Sequence, residues 1–124
     1  MSKIAAKQEV LREKLIDEAS AVLEENGISG VKARDLAVNS GCSVGTIYNL
    51  FGDLDNLVLF ASARTLQEYR LFAEQAYHRS LNDNDAEMDH LMALCGAYID
   101  FATRHPTRWQ ANFELKIDPD SDYY

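Results

Sequence analysis

Apolar positions fall into helical spacing almost from the start of the chain. Leu11, Leu15, Ala19, Val22 and Leu23 stand at i, i+4, i+8, i+11 and i+12, one face of a helix predicted over Ala5 to Glu25. Asn26-Gly27 should stop it, because glycine takes the left-handed position after a helix at no steric cost. Beyond the connector Ile28-Ser29-Gly30, a second helix is predicted from Val31 to Asn39. It turns Ala33, Leu36 and Ala37 inward and Lys32, Arg34 and Asp35 outward. Ser40-Gly41-Cys42 makes the next turn. Ser43 is then placed as the N-cap of a third helix, Val44 to Leu50, with its hydroxyl accepting from the N–H of Gly45 or Thr46.

A longer fourth helix should follow Phe51-Gly52, capped by Asp53. Its stripe runs Leu54, Leu57, Val58, Ala61, then Leu66, Tyr69, Phe72, Ala73 and Ala76. The polar run Asn82-Asp83-Asn84-Asp85 breaks the pattern. A fifth helix is expected from Ala86 to Arg104, burying Met88, Leu91, Met92, Cys95, Tyr98, Ile99 and Ala102. Pro106 can open a sixth helix at its first turn, where its missing N–H costs nothing; that helix carries Trp109, Phe113 and Leu115. The tail from Asp118 to Tyr124 has no periodicity and should fray. No strand alternation and no internal repeat interrupts this order, so the expected fold class is all-α.

Composition changes the picture only in places. No apolar run nears the ~18 residues of a membrane span, and the N-terminus lacks the apolar core of a signal peptide, so a cytoplasmic location is expected. Cys42 and Cys95 stand apart, outside any Cys-x-x-Cys pair, which fits free thiols in a reducing compartment. His78, His90 and His105 share no ligand-like spacing, so no metal and no cofactor is expected. Neither is catalysis, since no nucleophile-base or paired-carboxylate arrangement stands out. Gly27-x-x-Gly30 and Gly41-x-x-x-Gly45 lack the preceding strand and the Gly-Lys-Ser/Thr ending of a phosphate loop. The net charge of −8 is unevenly spread: residues 1–52 carry −1 and residues 53–124 carry −7. A nearly neutral head on an acidic body can still approach DNA by one face.

The residues around the second and third helices meet the demands of a helix-turn-helix. Ala37 is small where the helices cross, Gly41 tolerates the positive φ of a tight turn, and Leu36, Cys42, Ile47 and Leu50 are spaced to pin one helix to the other. Arg34-Asp35-Leu36-Ala37, followed by Ser40-Gly41-Cys42-Ser43-Val44-Gly45-Thr46-Ile47-Tyr48-Asn49-Leu50-Phe51, resembles the signature of the tetracycline-repressor (TetR/AcrR) family. Leu15-Ile16-Asp17-Glu18-Ala19 with Gly27 resembles that family's first helix, and Asp55-Asn56-Leu57 the start of its fourth; the detailed likeness covers about residues 12–58. More loosely, Ala97 to Ala102 with His105-Pro106 and Trp109 resembles its regulatory domain.

The resemblance implies a helix-turn-helix DNA-binding domain over residues 1–52 and, over 53–124, the first part of a helical domain for effector binding and dimerisation. It implies a regulator, a repressor released from a double-stranded DNA operator by a small-molecule effector. The complete protein would be a homodimer, its two recognition helices ~34 Å apart. Within the segment from Lys32 to Phe51, Gly45 would let the helix backbone approach base edges, Thr46 would meet a phosphate or a thymine methyl, and Tyr48 a phosphate. Asn49 could pair with adenine. Lys32, Arg34, Ser43 and Val44 complete the expected DNA-binding set, near helix N-termini whose N–H groups favour phosphate. Tyr48 as a half-buried core ring and Asn49 as a solvated side chain stay open at this point. So does the choice between effector pocket and core for Met92, Tyr98, Phe101, Trp109 and Phe113. Two departures remove phosphate partners: Leu50 where the family commonly has His, and Leu54 where it commonly has Lys. The family also continues further, so a fragment of a longer protein is expected. The alternative is a small helical protein-interaction module, favoured by the acidic second half.

Overall fold

Six α-helices and one 3-10 turn make up most of the residues described by a computed structural model, 2–83, 87–114 and 120. The helices are α1 (Lys3–Asn26), α2 (Ala33–Ser40), α3 (Val44–Phe51), α4 (Leu54–Asp83), α5 (Glu87–Arg104) and α6 (Pro106–Glu114), with the turn at Ile28–Gly30. No strand occurs among the described residues, and the all-α class stands as expected. Ala86, expected to begin α5, lies outside the described residues, as do Asn84, Asp85, Leu115 and the tail apart from Asp120. Asn82 and Asp83 fall within the last turn of α4.

α1 begins earlier than its apolar stripe because Ser2 caps it, accepting from the Ala5 N–H at 3.1 Å. It ends at Gly27, whose φ of +74° suits glycine, but ψ is −170°, so the expected left-handed helical end gives way to a more open turn. That turn lets α6 come close: Thr107 Cγ2 lies 3.3 Å from where a Cβ on Gly27 would sit.

The core joins four of the helices that the pattern predicted and one that it left loosely placed. Leu15, Ile16, Ala19 and Leu23 of α1 pack with Leu36 and Ala37 of α2, Ile47 and Phe51 of α3, and Leu57, Val58 and Ala61 of α4. Ala111 of α6 enters the same cluster. Burying a leucine, isoleucine or phenylalanine side chain contributes about 1.5–3 kcal/mol, so α1 is the element whose loss would empty the most core. Two arginines fasten it to the neighbouring helices. Arg64 of α4 holds both Glu13 and Asp17, and Arg108 of α6 reaches Glu24.

Two expected stripes need correction. On α4, Leu66 is 50% exposed, and its neighbour Thr65 takes the buried place. Ser62 and Thr65 continue the face begun by Val58 and Ala61 at 3–4-residue intervals, and Thr65 satisfies its hydroxyl by donating to the Ala61 carbonyl at 3.5 Å. On α5 most of the expected buried side is the outer one: Met88, Leu91, Met92, Cys95 and Ile99 are exposed, whereas Ala102 is half-buried and Tyr98, 44% exposed, still meets the rings of Tyr69 and Trp109. The buried side carries Ala97 and Phe101, with His90, Ala93 and Leu94 half-buried. α5 is apolar on both sides, so periodicity could not choose between them. The choice is tertiary: Phe101 finds the rings of Tyr69, Phe72 and Trp109 within 5.5–6.0 Å.

Candidate nucleic-acid interface

The segment from α2 to α3 is a tight corner. Gly41 adopts φ 73°, ψ 35°, a left-handed conformation costly to any residue with a Cβ. The chain therefore reverses within three residues, and the Cys42 N–H returns to the Ala37 carbonyl at 3.0 Å. Leu36, Ile47 and Phe51 are fully buried beneath the corner. Cys42 is half-buried against the same core, and burial pushes its thiol pKa up while the nearby Lys14 charge pulls it down.

Ser43 caps α3 as expected, and it chooses Thr46: Ser43 Oγ accepts the Thr46 N–H at 3.1 Å. The two hydroxyls also meet at 2.9 Å. Thr46 thus shares its hydroxyl with the cap residue and stays half-buried at the first turn of α3. Val44 is half-buried, its side chain packed against the core.

Gly45, Tyr48 and Asn49 form the outer face of α3, and all three are exposed. A Cβ at Gly45 would meet only Ser43 Oγ, at 3.7 Å, so the surface beside it is open. Tyr48 is 45% exposed and has no place in the core cluster. Lys32 and Arg34 are exposed too, but they line a separate groove of about 380 Å³ between the end of α1 and α2, together with Asn26, Gly30 and Asn39. The eight expected residues therefore divide into six on α3 and its cap, from Ser43 to Asn49, and two at the start of α2.

What fixes α3 at its far end was not evident from spacing. Arg12 of α1 lies over the rings of Phe51 and Phe60, at 5.4 and 4.3 Å, a cation–π contact joining α1, α3 and α4. Asn56 donates from Nδ2 to the Phe51 carbonyl at 2.8 Å, and its own N–H is accepted by Asp53 Oδ1, the expected cap of α4. The only prior signal for Arg12 was its position four residues before Ile16, on the edge of the buried face of α1. Leu54, in the place of the family's lysine, packs against the core.

Of the five residues expected to line a pocket or fill core, Tyr98, Phe101 and Trp109 gather around Tyr69 with centroids 5.2–6.0 Å apart, edge to face in every pair but the tilted Tyr69–Trp109. Phe113 touches the rim of that cluster through Trp109, at 6.0 Å, and is otherwise exposed. Met92 is 62% exposed, about two and a half helical turns from Phe101 and so on the opposite side of α5. An apolar groove of about 400 Å³ lies beside the cluster, between α4 and α5, but is lined by Tyr69, Ala73, Tyr77 and Leu94 with the stems of Arg70 and Glu74.

Residues 15–59 match the family model described as bacterial regulatory proteins, tetR family. The chain is also 31% identical over 93 residues to the HTH-type transcriptional regulator BetI of Burkholderia thailandensis, a match covering 75% of this chain and 46% of that protein. It thus spans about half the length of the relative. The matched segment runs from the buried Leu15 through the Gly41 corner and α3 to the first turns of α4. The chain belongs to the tetR family of bacterial regulatory proteins and carries its N-terminal part.

Proposed function

We propose that the chain is the operator-binding part of a transcriptional regulator, with α3 entering the DNA major groove. The observation that carries this reading is the two-sided character of α3: Ile47 and Phe51 are fully buried, while Gly45, Tyr48 and Asn49 face open solvent. A bare glycine backbone beside a tyrosine and an asparagine suits close approach to base edges, one phosphate contact and one adenine contact. Residues 1–52 then act as the DNA-binding domain, with Lys32, Arg34 and the N–H groups behind Ser43 and Val44 holding phosphates and the Thr46 methyl facing a base. Residues 53–124 are the first part of the domain that binds a small effector and dimerises. Binding of that effector at or near the Tyr69–Tyr98–Phe101–Trp109 cluster releases the operator, which makes the protein a repressor.

The exposed apolar side of α5, from Met88 to Ile99, favours a second reading as a helical protein-interaction module. Such a module has no use for the open glycine at position 45. Selection of bound duplexes from a random-sequence library separates the two. A regulator enriches one motif, and a module that binds only protein enriches none.

A further inference from the structure

The first four turns of α1 carry acidic and basic side chains on different faces, up to Glu18, which stands one turn beyond Lys14 on the same side. Glu13 and Asp17 turn toward α4, where Arg64 holds both. Lys3, Lys7 and Lys14 follow at intervals of four and seven residues, which on a helix of 3.6 residues per turn puts them within an arc of about 40°. All three are exposed, and among the described residues none of them is ion-paired. The row leads to the helix-turn-helix corner. Lys7 and Lys14 line a groove of about 380 Å³ with Val10, Leu11 and, from the end of α2, Ser40. Two residues further on, Cys42 lies close enough for the Lys14 charge to act on its thiol. Ser43, the cap of α3, comes next.

We propose that Lys7 and Lys14, with Lys3 at the end of the row, are a second phosphate-binding element that grips the DNA backbone beside the groove entered by α3. The inference rests on the reading of α3 as the helix that enters DNA. Lysine binds phosphate as a mobile point charge without fixed geometry, which suits a row that holds a strand and does not read it. From Lys3 to Lys14 the row extends about 16 Å, enough to face several of the charges that one strand presents every ~3.4 Å of axis. In a chain of net charge −8, such a row also sets three lysines ahead of the first carboxylate on their face of α1, Glu18.

The test uses the 124-residue chain and a short mixed-sequence duplex, with affinity measured by fluorescence anisotropy at several salt concentrations. Lys7→Gln/Lys14→Gln should flatten the slope of log affinity against log salt by about 1.8, two contacts at ~0.9 each. Lys7→Arg/Lys14→Arg should keep the wild-type slope. Arg70→Gln/Arg79→Gln, which removes the same charge from the part of α4 remote from the corner, should leave it unchanged. A wild-type slope in the lysine-to-glutamine variant, or equal flattening in the α4 control, overturns the proposal while α3 keeps its role. A wild-type chain that shows no salt-dependent binding at all overturns the reading of α3, and this proposal falls with it.

Discussion

Arg108 on α6 stands 3.2 Å from Glu24 near the end of α1, an ion pair whose angle falls short of a hydrogen bond. The same guanidinium donates to Glu68 of α4 at 2.5 Å, and His105, just before α6, meets the other oxygen of Glu24 at 2.6 Å. Arg108 is buried, whereas Glu24 and Glu68 keep partial access to water. One side chain therefore bolts the last helix to the first and the fourth, and the head cannot tilt on the body without breaking it.

Arg108→Met should cost about 2 kcal/mol, the scale of a hydrogen bond to a charged group, because the two carboxylates can rehydrate once freed. Thermal unfolding should shift down by roughly 5–10 °C for a chain of this size. An unchanged melting temperature would show that the cluster contributes no net stability.

Tyr48→Phe removes one hydroxyl from an exposed ring and leaves its packing alone. Affinity should fall by about 1–2 kcal/mol on every duplex, operator and random alike, with the melting temperature unchanged. A collapse in stability would place Tyr48 among the structural residues instead.

How much of this was legible in the residues differs by level. The corner was legible because it is local: Gly41 needs its φ, Ser43 needs an N–H three residues on, and Leu36 and Ile47 need cover, all within a dozen positions. α4 was legible to Ala61 and then missed by one residue, since Thr65 and not Leu66 faces inward. A buried threonine that bonds its own helix backbone leaves no apolar mark. α5 was largely misread because an apolar residue is available on either side, and the rings of α4 and α6 that gather around Phe101 decide which one is covered. The clamps of Arg64 and Arg108 span 40 or more residues, beyond any pattern of spacing.

Cys42 and Cys95 should react very differently. Cys95 is exposed, whereas burial raises the Cys42 thiol pKa against the pull of Lys14. A thiol-specific reagent at neutral pH should label Cys95 first, and Cys42 only as pH rises, because the thiolate is the nucleophile. The folded thiol titrates above its unfolded value, so the protonated form is the one the fold favours. Its contribution to stability is complete below the unfolded value and is lost as pH rises through the folded one. Lys14→Gln should raise the Cys42 pKa further and slow labelling. Equal rates for the two cysteines would contradict the placement of Cys42 against the core.

Leu54→Lys trades packing for charge. Leu54 lies against the core at the first turn of α4, so the melting temperature should fall, moderated because a lysine stem can lie along apolar surface. Non-specific DNA affinity should rise, and the salt slope should steepen by about 0.9 for the one phosphate gained. A variant with the wild-type slope would mean that the start of α4 does not approach the backbone.

Gly45→Leu tests the docking of α3 most directly. A Cβ at Gly45 meets nothing closer than Ser43 Oγ at 3.7 Å, so the fold has room for the side chain, and replacing glycine inside a helix should stabilise by about 0.5–1 kcal/mol. The same side chain would stand between the α3 backbone and the base edges. Titration of the selected duplex should therefore show wild-type protein binding tightly and Gly45→Leu no more tightly than random DNA, with a melting temperature equal to wild type or higher. Undiminished affinity for the selected duplex in a folded Gly45→Leu protein would contradict entry of α3 into the groove.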